Sequence, residues 1–195
     1  MAKAQLPLTI ARAHQAKEPF RLTSVAGDAT GARAEQVRTG SADVRLEVFV
    51  EEQQVPLALE IDARDDAPGT IHLLASDADG TPLGTARLLL EPEPQGQVHL
   101  GRLAVRQIAR GTGLGARLVA AVEEEALRRA AKPLTGAIAE QAGVAPGTIG
   151  VMVVLSAQEQ AMGFYQRCGY RAISGQPYLD AGIWHQDMFK LVLGA

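Results

Sequence analysis

The sequence predicts an α/β (α+β) fold, a single mixed sheet with helices packed on it, from three observations. Short runs rich in Val, Leu, Ile and Thr recur at strand length. Two stretches, residues 31–50 and the one opening at residue 114, instead carry apolar residues at helical spacing. In chain order these segments read β-α-β-β-β-α-β-α-β-β, a pattern of strands and helices that share one core.

FRLTSV (20–25) is the first strand. Val37, Ser41, Val44 and Val48, with Arg45 and Phe49 beside them, form the first helix within 31–50. EEQQVPLALEIDARDDAPG (51–69) reads as a polar, Pro-containing connection, and its Glu60, Asp62, Asp65 and Asp66 as a solvated acidic loop. TIHLLAS (70–76) and PLGTARLLL (82–90) flank DADGT, in which Asp79-Gly80 marks a strand–turn–strand unit. After the EPEPQG loop (91–96) comes the strand QVHLGRLAV (97–105). The next helix lays Leu114, Leu118, Val119, Val122 and Ala126 on one face, with Glu124–Arg128 and Glu125–Arg129 as exposed pairs. Residues 133–149 are a Gly/Ala/Thr-rich interval. VMVVLS (151–156) is apolar throughout, as a strand buried on both faces would be. QEQAMGFYQRC is helical and stops at Gly169, with Cys168 packing as a small hydrophobe. YRAIS (170–174) and MFKLVL (188–193) close the sheet.

The 195 residues, 47% hydrophobic, suit one domain with a real core, and the net charge of −3 gives no basic footprint for nucleic acid. One cysteine excludes an internal disulfide and fits a reducing compartment. No apolar run is long enough to span a membrane, and MAKAQLPLTIARAHQ lacks the apolar segment of a secretory signal, so the expected location is cytoplasmic. The four histidines are dispersed, with no H-x-x-x-H or C-x-x-C, and no metal site is expected.

RGTGLGARLV (110–119) places three glycines immediately before a helix. Exposed N–H groups at a helix N-terminus, with backbone free to approach, make a phosphate site. A P-loop fails, because Ala116, Arg117 and Leu118 stand where G-K-[ST] is required. Gly111, Gly113 and Ala116 match the dinucleotide fingerprint G-x-G-x-x-[GA], yet RQIAR separates them from the strand and no acidic strand end follows. What remains is Arg110-x-x-Gly113-x-Gly115, which resembles the coenzyme A pyrophosphate loop of the GNAT superfamily of N-acetyltransferases.

Five further blocks extend that resemblance over about residues 20–193: VRLEVFVEEQQVP (44–56), GTARLL (84–89), GRLAV (101–105), LSAQEQAMGFYQRCGY (155–170) and YLDAGIWHQDM (178–188). In this order they look like the ElaA-like branch of the superfamily. The resemblance implies a mostly antiparallel sheet, flanked by helices and splayed between its fourth and fifth strands, in a domain of residues 19–195 after an N-terminal extension (1–18). The extension and the long 133–149 interval depart from the family pattern.

The implied activity is transfer of the acetyl group of acetyl-CoA, as co-substrate, to a primary amine of a small molecule, a polyamine or a peptide, by a monomer or homodimer. The resemblance puts cofactor contacts at Leu103, Ala104 and Val105, on the loop Arg110, Gly111, Thr112, Gly113, Leu114 and Gly115, and at Phe164. Tyr165 falls where the family often has a tyrosine that protonates the departing thiolate. His99 shares alternation parity with Gly101, Leu103 and Val105 and is the candidate general base, with His72 and His185 as rivals. Two other functions are compatible with these residues. One is acyl-homoserine-lactone synthesis, to which Arg45–Phe49 is similar; the other is a non-catalytic CoA-binding sensor.

Overall fold

A computed structural model describes residues 20–90, 97–173 and 175–194. The expected N-terminal extension and the EPEPQG loop lie outside them. The elements are β1 (Arg21–Ala26), α1 (Ala32–Arg45), α2 (Leu57–Glu60), β2 (Thr70–Ser76), β3 (Pro82–Leu89), β4 (Gln97–Val105), α3 (Leu114–Ala130), β5 (Lys132–Pro133), α4 (Gly136–Ala142), β6 (Ile149–Gln158), α5 (Met162–Arg167), β7 (Arg171–Ala172), β8 (Tyr178–Asp180) and β9 (Ile183–Leu193). The sheet runs β1-β2-β3-β4-β6-β9-β7, with β5 on β6 and β8 on β9. Among the described residues all its pairings are antiparallel except β4 with β6.

One face of the sheet carries α3. Its expected stripe, Leu114, Leu118, Val119, Val122 and Ala126, is buried against Ile71, Leu73, Leu88, Leu100 and Val153. The other face carries α1, whose Val44 packs with Val48 and Ala104 in a smaller core. Full burial of a Val or Leu side chain is worth about 1.5–3 kcal/mol, so the α3 stripe is a main anchor of the fold.

Four local expectations need correction. The first helix is α-helical only to Arg45; Leu46–Glu52 widens into a π-helical turn, whose Phe49 packs against the small core that includes Ala104 of β4 and whose Glu52 pairs with Arg110. The 133–149 interval contains β5 and α4, an element of seven residues that buries Ala139 and is too short to show an amphipathic period. The closing hairpin begins earlier than MFKLVL, at Tyr178, and continues through β9. On α3, Glu125 takes both Arg128 and Arg129 and also accepts from Ser24 Oγ at 2.6 Å, so it serves as the hub of the pairs expected there.

Two irregularities in β4 shape the space beside it. Among the described residues it pairs with β6 at Gln97↔Met152, Val98↔Val153 and His99↔Val154, after which the two strands diverge while each continues, to Val105 and Gln158. The expected splay beside the fourth strand is therefore present, between β4 and β6, the strand that carries VMVVLS. In addition, Thr85 pairs with Ala104 and Arg87 with Gly101, so Ala86 alone opposes Arg102 and Leu103. This is a β-bulge, and Arg102 adopts φ 51° in it.

Candidate active site

The divergence of β4 and β6 opens a cleft of about 1380 Å³. Its walls come from the free edge of β4, the start of α3, α5, the π-helical turn and the β8–β9 hairpin. Every cofactor-contact residue expected from the sequence except Thr112 lines it, as do Tyr165 and His99.

The start of α3 explains the glycines. Gly113 is the N-cap, in the left-handed conformation at φ 86° and ψ −1°, where a side chain would be strained. Thr112 Oγ1 donates to the Ala109 carbonyl at 2.7 Å, bracing the loop from below. The N–H groups of Leu114, Gly115 and Ala116 belong to the first turn and have no partner within the helix. Gly115, which lines the cleft, also makes room for a neighbouring ring. A Cβ there would stand 3.3 Å from Phe164 Cζ, so this glycine admits the α5 ring against the helix start. Arg110 is committed to protein: Nε donates to the Val105 carbonyl at 2.9 Å and a terminal nitrogen pairs with Glu52 at 2.5 Å.

Tyr165 lies on α5 with Phe164 edge-on at 5.0 Å and is only 8% exposed. Its hydroxyl makes no hydrogen bond among the described residues, and burial pushes the phenol well above its ordinary range. It is thus a neutral, proton-bearing group at the cleft wall.

The three histidines separate. His99 is the last β4 residue paired with β6 and stands at the apex of the wedge. Its parity with Leu103 and Val105 does not hold. Val98 and Leu100 share the α3-side core with Leu103 and Val105, whereas Ala104 packs on the α1 side. The bulge at Arg102 reverses the alternation, so His99 and Gly101 face the α1 side of the sheet. His185 also lines the cleft, and its Nδ1 lies 2.9 Å from the Ile183 carbonyl; a carbonyl only accepts, so Nδ1 is the donor in that contact. His72 is 2% exposed, within hydrogen-bond distance of the Asp65 carbonyl, and burial lowers its pKa; it is a structural residue, not a cleft base.

The acidic loop is the largest correction. Glu60 is 2% exposed and accepts from Arg45 Nε at 2.5 Å, with the Arg45 guanidinium also on the Glu60 carbonyl. Asp65 bridges Arg45 and Arg87 at 2.9 and 2.7 Å, and Asp62 accepts from Arg87 at 3.0 Å. Arg102 joins Glu60 at 3.2 Å and Asp62 at 3.3 Å. Burial pushes Asp62 and Asp65 upward, but the guanidinium hydrogen bonds outweigh it and hold both below the usual carboxylate range; Glu60, more deeply buried, stays above it. Arg45 and Arg87 are 3% and 5% exposed. Three arginines and three carboxylates thus alternate in a ring beneath the α1 side of the cleft, each arginine touching two of the carboxylates. The sequence signal was the placing of acids within apolar LALEID, which a solvated loop does not need.

Among the described residues, no group of three or more His, Cys, Asp or Glu is placed to hold a metal, and no helix is long and apolar enough to cross a membrane. A helix N-terminus beside an open strand edge offers anion contacts and backbone hydrogen bonds to an extended ligand.

Residues 42–170 match the family model described as Acetyltransferase (GNAT) family. The chain is 35% identical over 147 residues to the uncharacterized N-acetyltransferase YjcF of Bacillus subtilis (strain 168), covering 75% of this chain and 87% of that protein. An acyl-CoA N-acyltransferase from Pseudomonas aeruginosa superposes with a TM-score of 0.63 at 31% identity, over 88% of this chain and 99% of the other. Escherichia coli ElaA superposes with a TM-score of 0.67 over 88% of this chain and 99% of its own, and at 22% identity shows the shared fold.

Proposed function

This chain belongs to the acetyltransferase (GNAT) family, an acyl-CoA N-acyltransferase class, and on that premise we propose that it transfers the acetyl group of acetyl-CoA to a primary amine of a small molecule. The observation that carries this reading is the wedge between β4 and β6, bounded at one end by the glycine-capped start of α3 and lined by a buried, protonated Tyr165. In this reading the extended arm of the co-substrate takes the free edge of β4 at Leu103–Val105. The pyrophosphate meets the first-turn N–H groups of α3, where the helix dipole favours its charge.

The amine nitrogen forms a bond to the acetyl carbon as the carbon–sulfur bond breaks. His99, at the apex, takes the proton the amine loses, and the Tyr165 phenol gives its proton to the departing sulfur. A β4 N–H next to the bulge stabilises the oxygen charge that develops. The network around Arg45 holds the wall behind the amine. It also gives Arg45 a structural role.

Incubation with acetyl-CoA and a panel of amines, polyamines and short peptides, followed by thiol release, tests the proposal. Amine-dependent release with a matching acetylated product supports it. Tight acetyl-CoA binding with no release from any amine contradicts it in favour of a non-catalytic CoA sensor.

A further inference from the structure

Arg102 occupies a position that ordinarily belongs to glycine. In a bulge whose first residue is left-handed, a side chain crowds the following carbonyl, and Gly is the usual occupant. Arg102 nevertheless sits at φ 51°, in the part of β4 beyond His99 that has already left β6, and strand alternation reverses there. Its side chain reaches across to the α2 segment at three points. A terminal nitrogen donates to the Leu59 carbonyl at 2.9 Å and approaches Asp62 at 3.3 Å, and Nε stands 3.2 Å from Glu60. Glu60 and Asp62 are in turn fixed by Arg45 and Arg87, so the anchorage is rigid.

We propose that Arg102 is a positioning residue, a latch whose ion-paired side chain holds the β4 bulge in its left-handed form and so keeps the open edge at Leu103–Val105 aligned in the cleft. The inference rests on the acetyltransferase reading for its kinetic consequence only. A backbone shift of about 1 Å at such an edge is enough to cost roughly a hundredfold in a positioned reaction. Strain at a functional site persists only where its surroundings enforce it, and here the surroundings are the carboxylates of one neighbouring segment.

The latch makes an unusual ordering of variants. Arg102→Ala loses the anchorage and keeps the steric conflict, so the bulge relaxes. Arg102→Gly loses the anchorage and the conflict together, so the bulge survives. Turnover is expected to fall about thirtyfold or more in Arg102→Ala and less than about fivefold in Arg102→Gly, with the KM for acetyl-CoA raised in the Ala variant, whose binding edge is misaligned, and within about twofold of wild type in the Gly variant. Hydrogen exchange of the 99–106 segment reads the same order without catalysis, accelerated in the Ala variant and close to wild type in the Gly variant. Equal losses in the two variants, or a greater loss in Gly, would overturn the latch, because charge rather than backbone geometry would then be what Arg102 supplies. Unchanged exchange and turnover in Arg102→Ala would also overturn it. If the wild-type protein transfers to no amine, the acetyltransferase reading fails, and the exchange ordering alone decides the latch.

Discussion

Tyr165 is the residue on which the proposed chemistry turns. Removing its hydroxyl as Tyr165→Phe keeps the edge-on packing with Phe164 and with Tyr170, whose ring centre lies 6.0 Å away. Turnover is expected to fall by about 10²–10⁴, with the KM for acetyl-CoA little changed, since the contacts proposed for the co-substrate are backbone groups elsewhere. Burial keeps the phenol protonated well beyond neutrality, so no loss of turnover on the alkaline side should trace to Tyr165 within the ordinary phenol range. A Phe variant with more than half of wild-type turnover, measured per folded molecule, would assign proton delivery to another group. His99 and His185 both border the cleft, and pH profiles separate them. His99→Ala should abolish the rise of kcat/KM with pH that accompanies loss of the base's proton, and His185→Ala should retain it. The reverse pattern would move the base to His185 Nε2.

At the scale of elements, the start of α3 and the segment 57–66 carry different loads. Gly113→Val forces a β-branched side chain into φ 86° at the helix cap. Acetyl-CoA affinity by titration calorimetry in EDTA should drop at least tenfold while the melting temperature falls only modestly; normal affinity in a folded variant would make the glycines a mere turn. Segment 57–66 carries the carboxylates of the buried network. Asp62 and Asp65, held below their reference value of 3.8, contribute stability that is present above about pH 4 and lost as pH falls through their lower folded values. Glu60, raised above 4.5, has the opposite sign and costs stability as pH rises through its folded value. Thermal melts should therefore fall steeply below pH 4, and Asp65→Asn should flatten that limb. An unchanged acid limb in that variant would show that Asp65 is not held by Arg45 and Arg87. These two elements also mark what could be read in advance. The glycine loop is a local signal, because cap conformation and N–H exposure are decided within RGTGLG, and it was legible. The network was not. Arg45, Glu60, Arg87 and Arg102 meet from four segments, and a one-dimensional charge pattern looks the same whether the acids face water or one another. The parity of His99 failed for a related reason, since the bulge depends on Arg102 being anchored by a distant segment.

At the scale of the whole molecule, the strand order brings β4 and β6 together as the one parallel pair among the described residues, and their divergence after His99 makes the cleft that every proposed role shares. The hairpins and the α3 stripe made that architecture predictable, because periodicity and turn chemistry fix their partners locally. The 133–149 interval was opaque because α4 is short and rich in Gly and Ala. The most direct test of this cleft as the acyl-transfer site is amide chemical-shift mapping of the protein titrated with acetyl-CoA. The expected result is perturbation concentrated at 103–105, 110–116, 154–158 and 164–165, with β1 and the outer half of β2 unmoved. Saturable binding whose shifts cluster away from the β4–β6 wedge, or no binding at millimolar acetyl-CoA, would contradict that assignment.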